Sequence, residues 1–251
     1  MIIRKSKDEI QAMSRAGGIV ASPLALLGEL AKPGVTTAEL DEAAESHIRS
    51  EGGVPTFKGY RGFPAAICTS PNSMVVHGIP GSYRLDEGDL ISVDVGVTLD
   101  GFVADSAYTF PVGEVDADAR RLLDVCQAAL SAGIAEARAG NHVQDISAAV
   151  QRTTEEAGFS VVRSLVGHGI GRSMHEEPQV PNFGKPGGGP LLQPGMTLAI
   201  EPMINAGGPD VWMGDDRWSI STDDGSLSAH FEHTVAVTEN GPLVLTKSEP
   251  E

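Results

Sequence analysis

A β-hairpin with one aspartate in each strand is the most restrictive feature of this 251-residue sequence. Asp100-Gly101 separates two apolar runs, and this dipeptide is a strong signal for a two-residue turn. With that turn, Gly96 lies opposite Asp105, and Asp94 shares a sheet face with Asp105 as a diagonal pair roughly 7–8 Å apart. Carboxylates that converge from apolar strands repel each other unless they are neutralised. The hairpin alone leaves two alternatives equally open, a divalent cation between the aspartates or a solvated sheet face.

Helices and strands are expected in the same order in both halves of the chain. A capping box at Ser6–Glu9 begins the first helix. The expected helices span 6–33, 36–53, 116–139 and 143–158. The expected strands span 65–69, 90–97, 103–110, 159–163, 196–201 and 228–238. Two helix-helix-strand units indicate a pseudo-symmetric α/β domain with helices outside the sheet, and a site at the junction would take ligands from both halves. Because no low-complexity linker occurs, residues 1–251 are expected to form a single domain.

Composition limits the partners and the compartment. The formal net charge is -16, from 34 acidic and 18 basic residues, and no basic run occurs, so DNA and other polyanions are not expected as partners. Two cysteines are too few for a disulfide framework and fit a reducing compartment. The N-terminus lacks the apolar core of a signal peptide, and the most apolar window, 19–31, is interrupted by Pro23, Gly28 and Glu29. We therefore expect a cytoplasmic protein that does not enter a membrane.

Three further residues have the chemistry of metal ligands. Gly167 and Gly169 flank His168, so the backbone can approach another group closely and the imidazole stays open. Glu201 ends an apolar strand and Glu232 lies inside another, positions that taken singly are more typical of edge residues. With the hairpin aspartates they form an oxygen-rich set that is too anionic for one structural zinc but suits two divalent ions. Two such ions can share and activate a hydroxide, so hydrolysis is the expected chemistry.

The chain resembles the type I methionine aminopeptidases, which are pita-bread metallopeptidases. The resemblance runs from about Ser6 to Thr246, and its five densest blocks follow in the family's order and separation. These blocks are VVHGIP (75–80), VDVGVTLDGFVADSAYTF (93–110), GHGIGRSMHEEPQVPNFG (167–184), LAIEPMI (198–204) and FEHTVAVTENG (231–241). The resemblance implies an α/β (α+β) pita-bread fold, with a pseudo-two-fold, antiparallel-rich central sheet and helices on its outer face. It also implies removal of the initiator methionine from nascent chains, preferentially when the second residue is small.

The resemblance also implies a role for particular residues. It assigns metal ligation to Asp94, Asp105, His168, Glu201 and Glu232. Asp105 and Glu232 would bridge two ions, and Glu201 would also transfer a proton. His175 would hydrogen-bond the scissile carbonyl or its oxyanion, and His77 would contact the scissile amide nitrogen. The ions would be Co²⁺, Mn²⁺, Fe²⁺ or Zn²⁺, all of which accept mixed oxygen and nitrogen ligands.

A slot for the methionine side chain is implied in the same way. Its lining would be Phe57, Tyr60, Phe63, Cys68, Met174 and Trp218, which composition alone would assign to a generic core. Relatives often carry phenylalanine at the position of Met174 and cysteine at that of Phe57, so this chain departs from the family's pattern at two positions of the slot. Cys68 is then a wall of the slot and not a nucleophile. Among the other histidines, His47 and His142 are expected to be exposed, and His230 shares a strand face with Glu232.

Two other functions fit parts of the pattern. Xaa-Pro aminopeptidases and dipeptidases of the same fold have similar ligands but usually carry a large N-terminal domain, and only a few residues precede the first helix here. A catalytically inactive binding protein of this fold would have lost at least one ligand, whereas all five are present. The expected protein is therefore a compact methionyl aminopeptidase, a monomer that acts on N-terminal peptides of nascent proteins, with transient proximity to the ribosome.

Overall fold

A computed structural model describes residues 1–247 of the chain. Its helices are α1 (Lys7–Leu30), α2 (Thr37–Ser50), α3 (Ala117–Glu136) and α4 (Val143–Glu156). Strands of the first half are β1 (Val54–Pro55), β2 (Ile67–Pro71), β3 (Met74–Val76), β4 (Leu90–Leu99) and β5 (Phe102–Pro111). Those of the second half are β6 (Ser160–Val161), β7 (Val166–Gly169), β8 (Glu176–Pro181), β9 (Thr197–Ile200), β10 (Met203–Asn205), β11 (Val211–Met213), β12 (Ile220–Thr222), β13 (Ser228–His230), β14 (His233–Thr238) and β15 (Gly241–Val244). The predicted order of two helices followed by strands, repeated once, is confirmed.

Helix α1 begins where the sequence predicts and continues through the interruptions of the apolar window, as the predicted helix does. Ser6 Oγ accepts a hydrogen bond from the Glu9 N–H at 3.2 Å, and the Glu9 carboxylate accepts one from the Ser6 N–H at 2.9 Å. The helix then runs unbroken through Pro23 and Gly28. A Cβ at Gly28 would lie 2.6 Å from the Phe110 ring, so this glycine lets the helix pack directly on β5.

By length and composition α1 could cross a membrane, so the expectation that its apolar window falls short of a span is wrong on that criterion. Its environment is that of a core helix, because 56% of the apolar window is buried within the protein. Leu24 and Leu27 pack in one cluster with Val93 and Val95 of β4. The apolar face of α1 is therefore buried against the sheet.

All strand pairs are antiparallel within the described residues, and they form four sheets. The first contains β1, β4 and β2 in that order, with β5 also paired to β4. The second is β15-β14-β9-β7-β8, and two three-stranded sheets are β13-β10-β6 and β11-β12-β3. In the β4–β5 hairpin, Asp100 and Gly101 have φ values of 50° and 77°, as a two-residue turn requires, and Gly96 pairs with Asp105. The predicted register is confirmed.

Strand β5 joins the two halves of the chain. The Glu232 N–H donates to the Ala107 carbonyl at 2.9 Å, and Thr109 Oγ1 donates to the His230 carbonyl at 2.8 Å. Because the Glu232 N–H bonds to the other half, residues 231 and 232 leave the strand pattern, and the strand predicted for 228–238 is in fact two strands. Glu232 thus lies in a break between β13 and β14, where its side chain faces the hairpin aspartates.

Candidate metal centre

A cavity of about 300 Å³ lies at the junction of the two halves. Its lining includes every residue that the sequence analysis placed in the site, together with His230. These predicted residues are Asp94, Asp105, His168, Glu201 and Glu232, then His77 and His175, then Phe57, Tyr60, Phe63, Cys68, Met174 and Trp218. The carboxylates form one wall and the apolar residues another.

The five predicted ligands come from five backbone segments. Asp94 and Asp105 project from β4 and β5, His168 from β7, Glu201 directly follows β9, and Glu232 lies between β13 and β14. The carboxylate-bearing hairpin belongs to the first half of the chain and the other three predicted ligands to the second. The cavity therefore takes residues from both halves, as expected for a site at their junction.

Three of these residues could share one ion. One ligand atom each of Asp105, His168 and Glu232 lies within 4.8 Å of the others, and all three side chains are buried. His168 Nε2 lies 3.6 Å from Asp105 Oδ2 and 3.5 Å from Glu201 Oε1. Asp105 is further fixed by Thr234, whose Oγ1 lies 3.1 Å from its Oδ1 and donates to its carbonyl oxygen at 2.8 Å. Contacts within the protein therefore hold the side chain of Asp105 in place beside His168.

The tautomer of His168 follows from its hydrogen bond. Its Nδ1 lies 2.8 Å from the Gly169 carbonyl oxygen, which can only accept, so Nδ1 carries the proton. Burial lowers the pKa of His168, so the ring is neutral and the lone pair of Nε2 points toward the carboxylates. A neutral imidazole whose other nitrogen donates to a carbonyl has the arrangement of a metal-bound histidine.

When no cation is present, the carboxyl groups of the cavity favour their protonated, neutral form. Burial raises the pKa of Asp105 to about 7. Burial first, and the neighbouring carboxylates second, raise the pKa values of Asp94, Glu201 and Glu232 well above their usual range. Among residues 1–247, the buried Oδ1 of Asp94 has no hydrogen-bond partner. Divalent cations would neutralise this crowding and give that oxygen a partner, and oxygen ligands with one imidazole suit them.

Glycines around His168 allow the close approach that the sequence predicts. A Cβ at Gly167 would lie 2.4 Å from the Ala199 carbonyl oxygen, and one at Gly169 would lie 2.2 Å from that of Glu177. Strand β7 can therefore lie between β8 and β9 only with glycine at both positions. This close packing holds His168 against the carboxylates.

Two histidines stand at the cavity without belonging to the ligand set. The His175 ring lies between Tyr60, whose hydroxyl is 2.8 Å from Nδ1, and the His168 ring, at a centroid distance of 4.3 Å. His77 adopts a left-handed φ of 61°, a costly conformation for a residue with a Cβ. Burial, followed by the charge of His175, lowers the pKa of His77 to about 4. Burial, then His168 and Arg61, lowers that of His175 to about 4 as well, so its exposed ring is neutral near pH 7.

The apolar wall is a compact group of rings and sulfur atoms. Phe63 and Trp218 meet edge to face at 5.1 Å between ring centroids. Phe57 lies over Gly96 of β4, where a Cβ would be 2.5 Å from its ring. Burial, and then the nearby Asp94, raises the pKa of the Cys68 thiol, so it is not a thiolate nucleophile.

His230 lines the cavity, whereas the sequence predicted for it only a strand face shared with Glu232. It is 2% exposed, and its Nε2 lies 3.9 Å from Glu201 Oε2. Its two-residue spacing from Glu232 was the available signal. His233 points elsewhere and bonds Thr246 Oγ1 at 2.8 Å. His47 and His142, expected to be exposed, are half-buried because both lie against neighbouring carboxylates.

A buried ion pair holds the loop that carries His175. Lys5 Nζ lies 2.5 Å from Glu176 Oε2, and the two side chains are 4% and 8% exposed. The other carboxylate oxygen of Glu176 accepts hydrogen bonds from the N–H groups of Arg172, at 2.9 Å, and Ser173, at 3.3 Å. The segment before α1 therefore fixes one side of the cavity mouth, a contact that sequence reasoning did not find.

Comparisons with known proteins identify a family match and similar structures for this chain. Residues 11–239 match the family model described as metallopeptidase family M24. The methionine aminopeptidase of Clostridium perfringens is 51% identical over 246 residues, covering 98% of this chain and 99% of that protein. The crystal structure of methionine aminopeptidase from Rickettsia prowazekii has a TM-score of 0.97 at 40% identity, covering 98% of this chain and 100% of that one. An Xaa-Pro dipeptidase from Bacillus anthracis has a TM-score of 0.79 at 22% identity, covering 99% of this chain and 63% of that one, a likeness of fold alone.

The raised pKa of Asp105 predicts a pH dependence for the metal-free protein. Asp105 titrates at about 7 when folded against a usual value of 3.8, so the folded state binds more protons between these values and its stability falls as pH rises. The free energy of unfolding of wild type, minus that of Asp105→Asn, is expected to fall between about pH 4 and about pH 7 in chelator. Urea unfolding measures both. The same difference at both ends of this range would contradict the prediction.

Removing the cation of the buried ion pair should weaken the loop beside it. Lys5→Met leaves Glu176 buried without its partner, which is expected to lower the free energy of unfolding by about 3–5 kcal/mol and to speed amide hydrogen exchange in residues 171–176. Lys7→Met, which removes an exposed lysine at the start of α1, is the control and should change stability by less than about 0.5 kcal/mol. Equal stability of the two variants would show that the ion pair does not hold the loop.

Proposed function

Because the chain belongs to metallopeptidase family M24, we infer that it is an aminopeptidase that removes methionine from the N-terminus of its substrates. Relatives named methionine aminopeptidase cover nearly the whole chain, and their structures have the same pita-bread fold. The pita-bread fold and the removal of N-terminal methionine, both implied by the resemblance, are thereby confirmed. The observation that carries the inference is a single cavity with carboxylates and an imidazole on one wall and an apolar slot on the other. Family membership also implies the use of divalent metal ions.

We propose that two ions are held, with Asp94, Asp105, His168, Glu201 and Glu232 as ligands. Ligand atoms of Asp105 and Glu232 lie within 4.8 Å of each other, and these two carboxylates would be shared by both ions. The support is the number of buried acidic groups, because the charge of a single divalent ion would leave two of four carboxylates uncompensated. Mn²⁺, Fe²⁺, Co²⁺ and Zn²⁺ all accept this ligand set, and their availability decides which is used.

The proposed chemistry is hydrolysis of the first peptide bond. Divalent ions supply Lewis acidity, polarising a carbonyl and lowering the pKa of water. Glu201, whose pKa burial raises, takes up the proton of the attacking water and passes it to the leaving amine. The Tyr60 hydroxyl lies 2.8 Å from Nδ1 of neutral His175. With the hydroxyl as the donor, Nε2 of His175 carries the proton and would donate it in a hydrogen bond to the developing oxyanion. His77 contacts the scissile nitrogen.

The apolar wall receives the methionine side chain. Rings at Phe57, Tyr60, Phe63 and Trp218, with the sulfur atoms of Cys68 and Met174, suit a flexible thioether. The methionine side chain, its amino group and the ions would share a cavity of about 300 Å³. A preference for a small second residue is part of the proposal.

Further proposals concern the whole protein in its setting. Residues 1–251 form one catalytic domain that acts as a monomer in the cytoplasm on the N-terminal peptides of nascent proteins. An acidic chain without a basic run should bind ribosomal RNA weakly, so any proximity to the ribosome is transient.

Peptide hydrolysis by chelator-treated protein, titrated with each ion, tests the function. Met-Ala-Ser is expected to release methionine once metal is restored, and Met-Leu-Ser is expected to react more slowly because its second side chain is larger. Liquid chromatography of the free amino acid measures both. Hydrolysis of an Xaa-Pro peptide with none of Met-Ala-Ser would instead assign the chain to the Xaa-Pro peptidases, and no activity with any ion would indicate a binding protein.

Replacing Glu201 tests its assigned role. Glu201→Ala removes the proposed proton carrier and one ligand, so kcat on Met-Ala-Ser is expected to fall by a factor of about 10²–10⁴ or more. Glu42→Ala, at an exposed position on α2, is the control and should retain full activity. Circular dichroism checks that both variants are folded. Full activity of folded Glu201→Ala would show that another group moves the proton.

A further inference from the structure

An arginine stands at the mouth of the cavity on a tight turn. Arg61 is the central residue of the 3-10 turn Tyr60–Gly62, between the slot residues Phe57 and Phe63. It is exposed and lines the cavity. Within the described part of the chain, no other lysine or arginine lines this cavity. Its charge therefore sits alone at the entrance to a group of carboxylates.

The backbone places Arg61 there at a cost. Its φ of 50° and ψ of 22° lie in the left-handed region, which is unfavourable for a residue with a Cβ. Hydrogen bonds close the turn on both sides, from the Phe63 N–H to the Tyr60 carbonyl at 2.9 Å and from the Gly59 N–H to the Phe63 carbonyl at 2.8 Å. The position of the side chain is thus set by a closed turn and not by a free loop.

The guanidinium is available to a ligand. It lies 5.3 Å from the Tyr60 ring centroid, within range of a cation-π contact. Among residues 1–247 no carboxylate lies within ion-pair distance of it, whereas Lys58 in the same loop lies 2.5 Å from a carboxylate oxygen of Glu45. Tyr60 also hydrogen-bonds His175, so the charge stands beside the groups assigned to the scissile bond.

The path of the substrate leads past this charge. Under the proposed function, which this inference rests on, methionine fills the apolar slot and its amino group meets the carboxylates. The residues after the scissile bond must then leave by the mouth, beside His175 and Tyr60. We propose that Arg61 is a specificity-determining residue that attracts negative charge on the third and fourth residues of the substrate, favouring acidic side chains there over basic ones. The overall charge of -16 would otherwise disfavour such peptides.

The expected preference is modest because the contact is open to solvent. One charge pair at a few ångströms in a largely aqueous mouth corresponds to a factor of about three to ten in kcat/KM. The preference should shrink in high salt, because exposed charges are screened over about 10 Å at ~0.1 M ionic strength.

Peptides that differ only in one charge test the proposal. The substrates are Met-Ala-Glu-Gly, Met-Ala-Gln-Gly and Met-Ala-Lys-Gly with amidated C-termini, and kcat/KM is measured with metal-loaded wild type, Arg61→Gln and Lys58→Gln. Lys58→Gln is the matched control because it removes the same charge from the same loop outside the cavity. Wild type and Lys58→Gln should favour the Glu over the Lys peptide by about three- to tenfold. Arg61→Gln should bring that ratio to about one while hydrolysing the neutral peptide within about threefold of wild type.

The other possible outcomes overturn either the role of Arg61 or the proposed function. A wild-type ratio near one, or an Arg61→Gln ratio equal to that of wild type, overturns the proposal. An equal loss on all three peptides also overturns it, because Arg61 would then act by positioning Tyr60. No hydrolysis of the neutral peptide by wild type would instead overturn the proposed function, so the two failures are distinguishable.

Discussion

Four carboxyl groups crowded into one buried cavity are the constraint on which this structure depends. Asp94, Asp105, Glu201 and Glu232 come from four segments, and their pKa values are all raised by burial and, for most, by one another. Such a group is unfavourable in a folded core unless protons or cations neutralise it. The cavity therefore suits divalent cations, and the neutral, oriented His168 would supply one nitrogen ligand to them.

The fold brings these groups together through one long hairpin and its contacts with the second half. Strand β5 carries Asp105 and also receives the N–H of Glu232 at Ala107, so one strand fixes both proposed bridging residues. Thr234, from the second half, hydrogen-bonds both the backbone carbonyl and the carboxylate of Asp105. Around this centre, the closed turn at Arg61 and most of the apolar wall come from the first half, and Met174 and Trp218 complete the wall from the second half. The proposed metal ligands therefore come from two sheets that meet at the cavity, and the groups that would select the substrate lie beside them.

The sequence predicts the parts of this arrangement that depend on local signals. The Asp-Gly turn sets the register of Asp94 against Asp105, and capping residues set the helix starts, so both could be read before the structure was known. The sequence does not predict the strand break at Glu232, because that depends on a hydrogen bond to Ala107, more than a hundred residues away. Nor does it predict the burial of His230 beside Glu201, since two-residue spacing gives a shared face but not what covers it. The ligand roles came from family resemblance, because single carboxylates in strands have many other uses.

Anomalous diffraction from crystals soaked in Mn²⁺ tests the central claim most directly. The account predicts two separate anomalous peaks in the cavity, one on each side of the Asp105 and Glu232 carboxylates, with Asp94, His168 and Glu201 completing the ligands. A fully occupied single peak that does not gain a second at rising Mn²⁺, or peaks that lie away from these five residues, would contradict it.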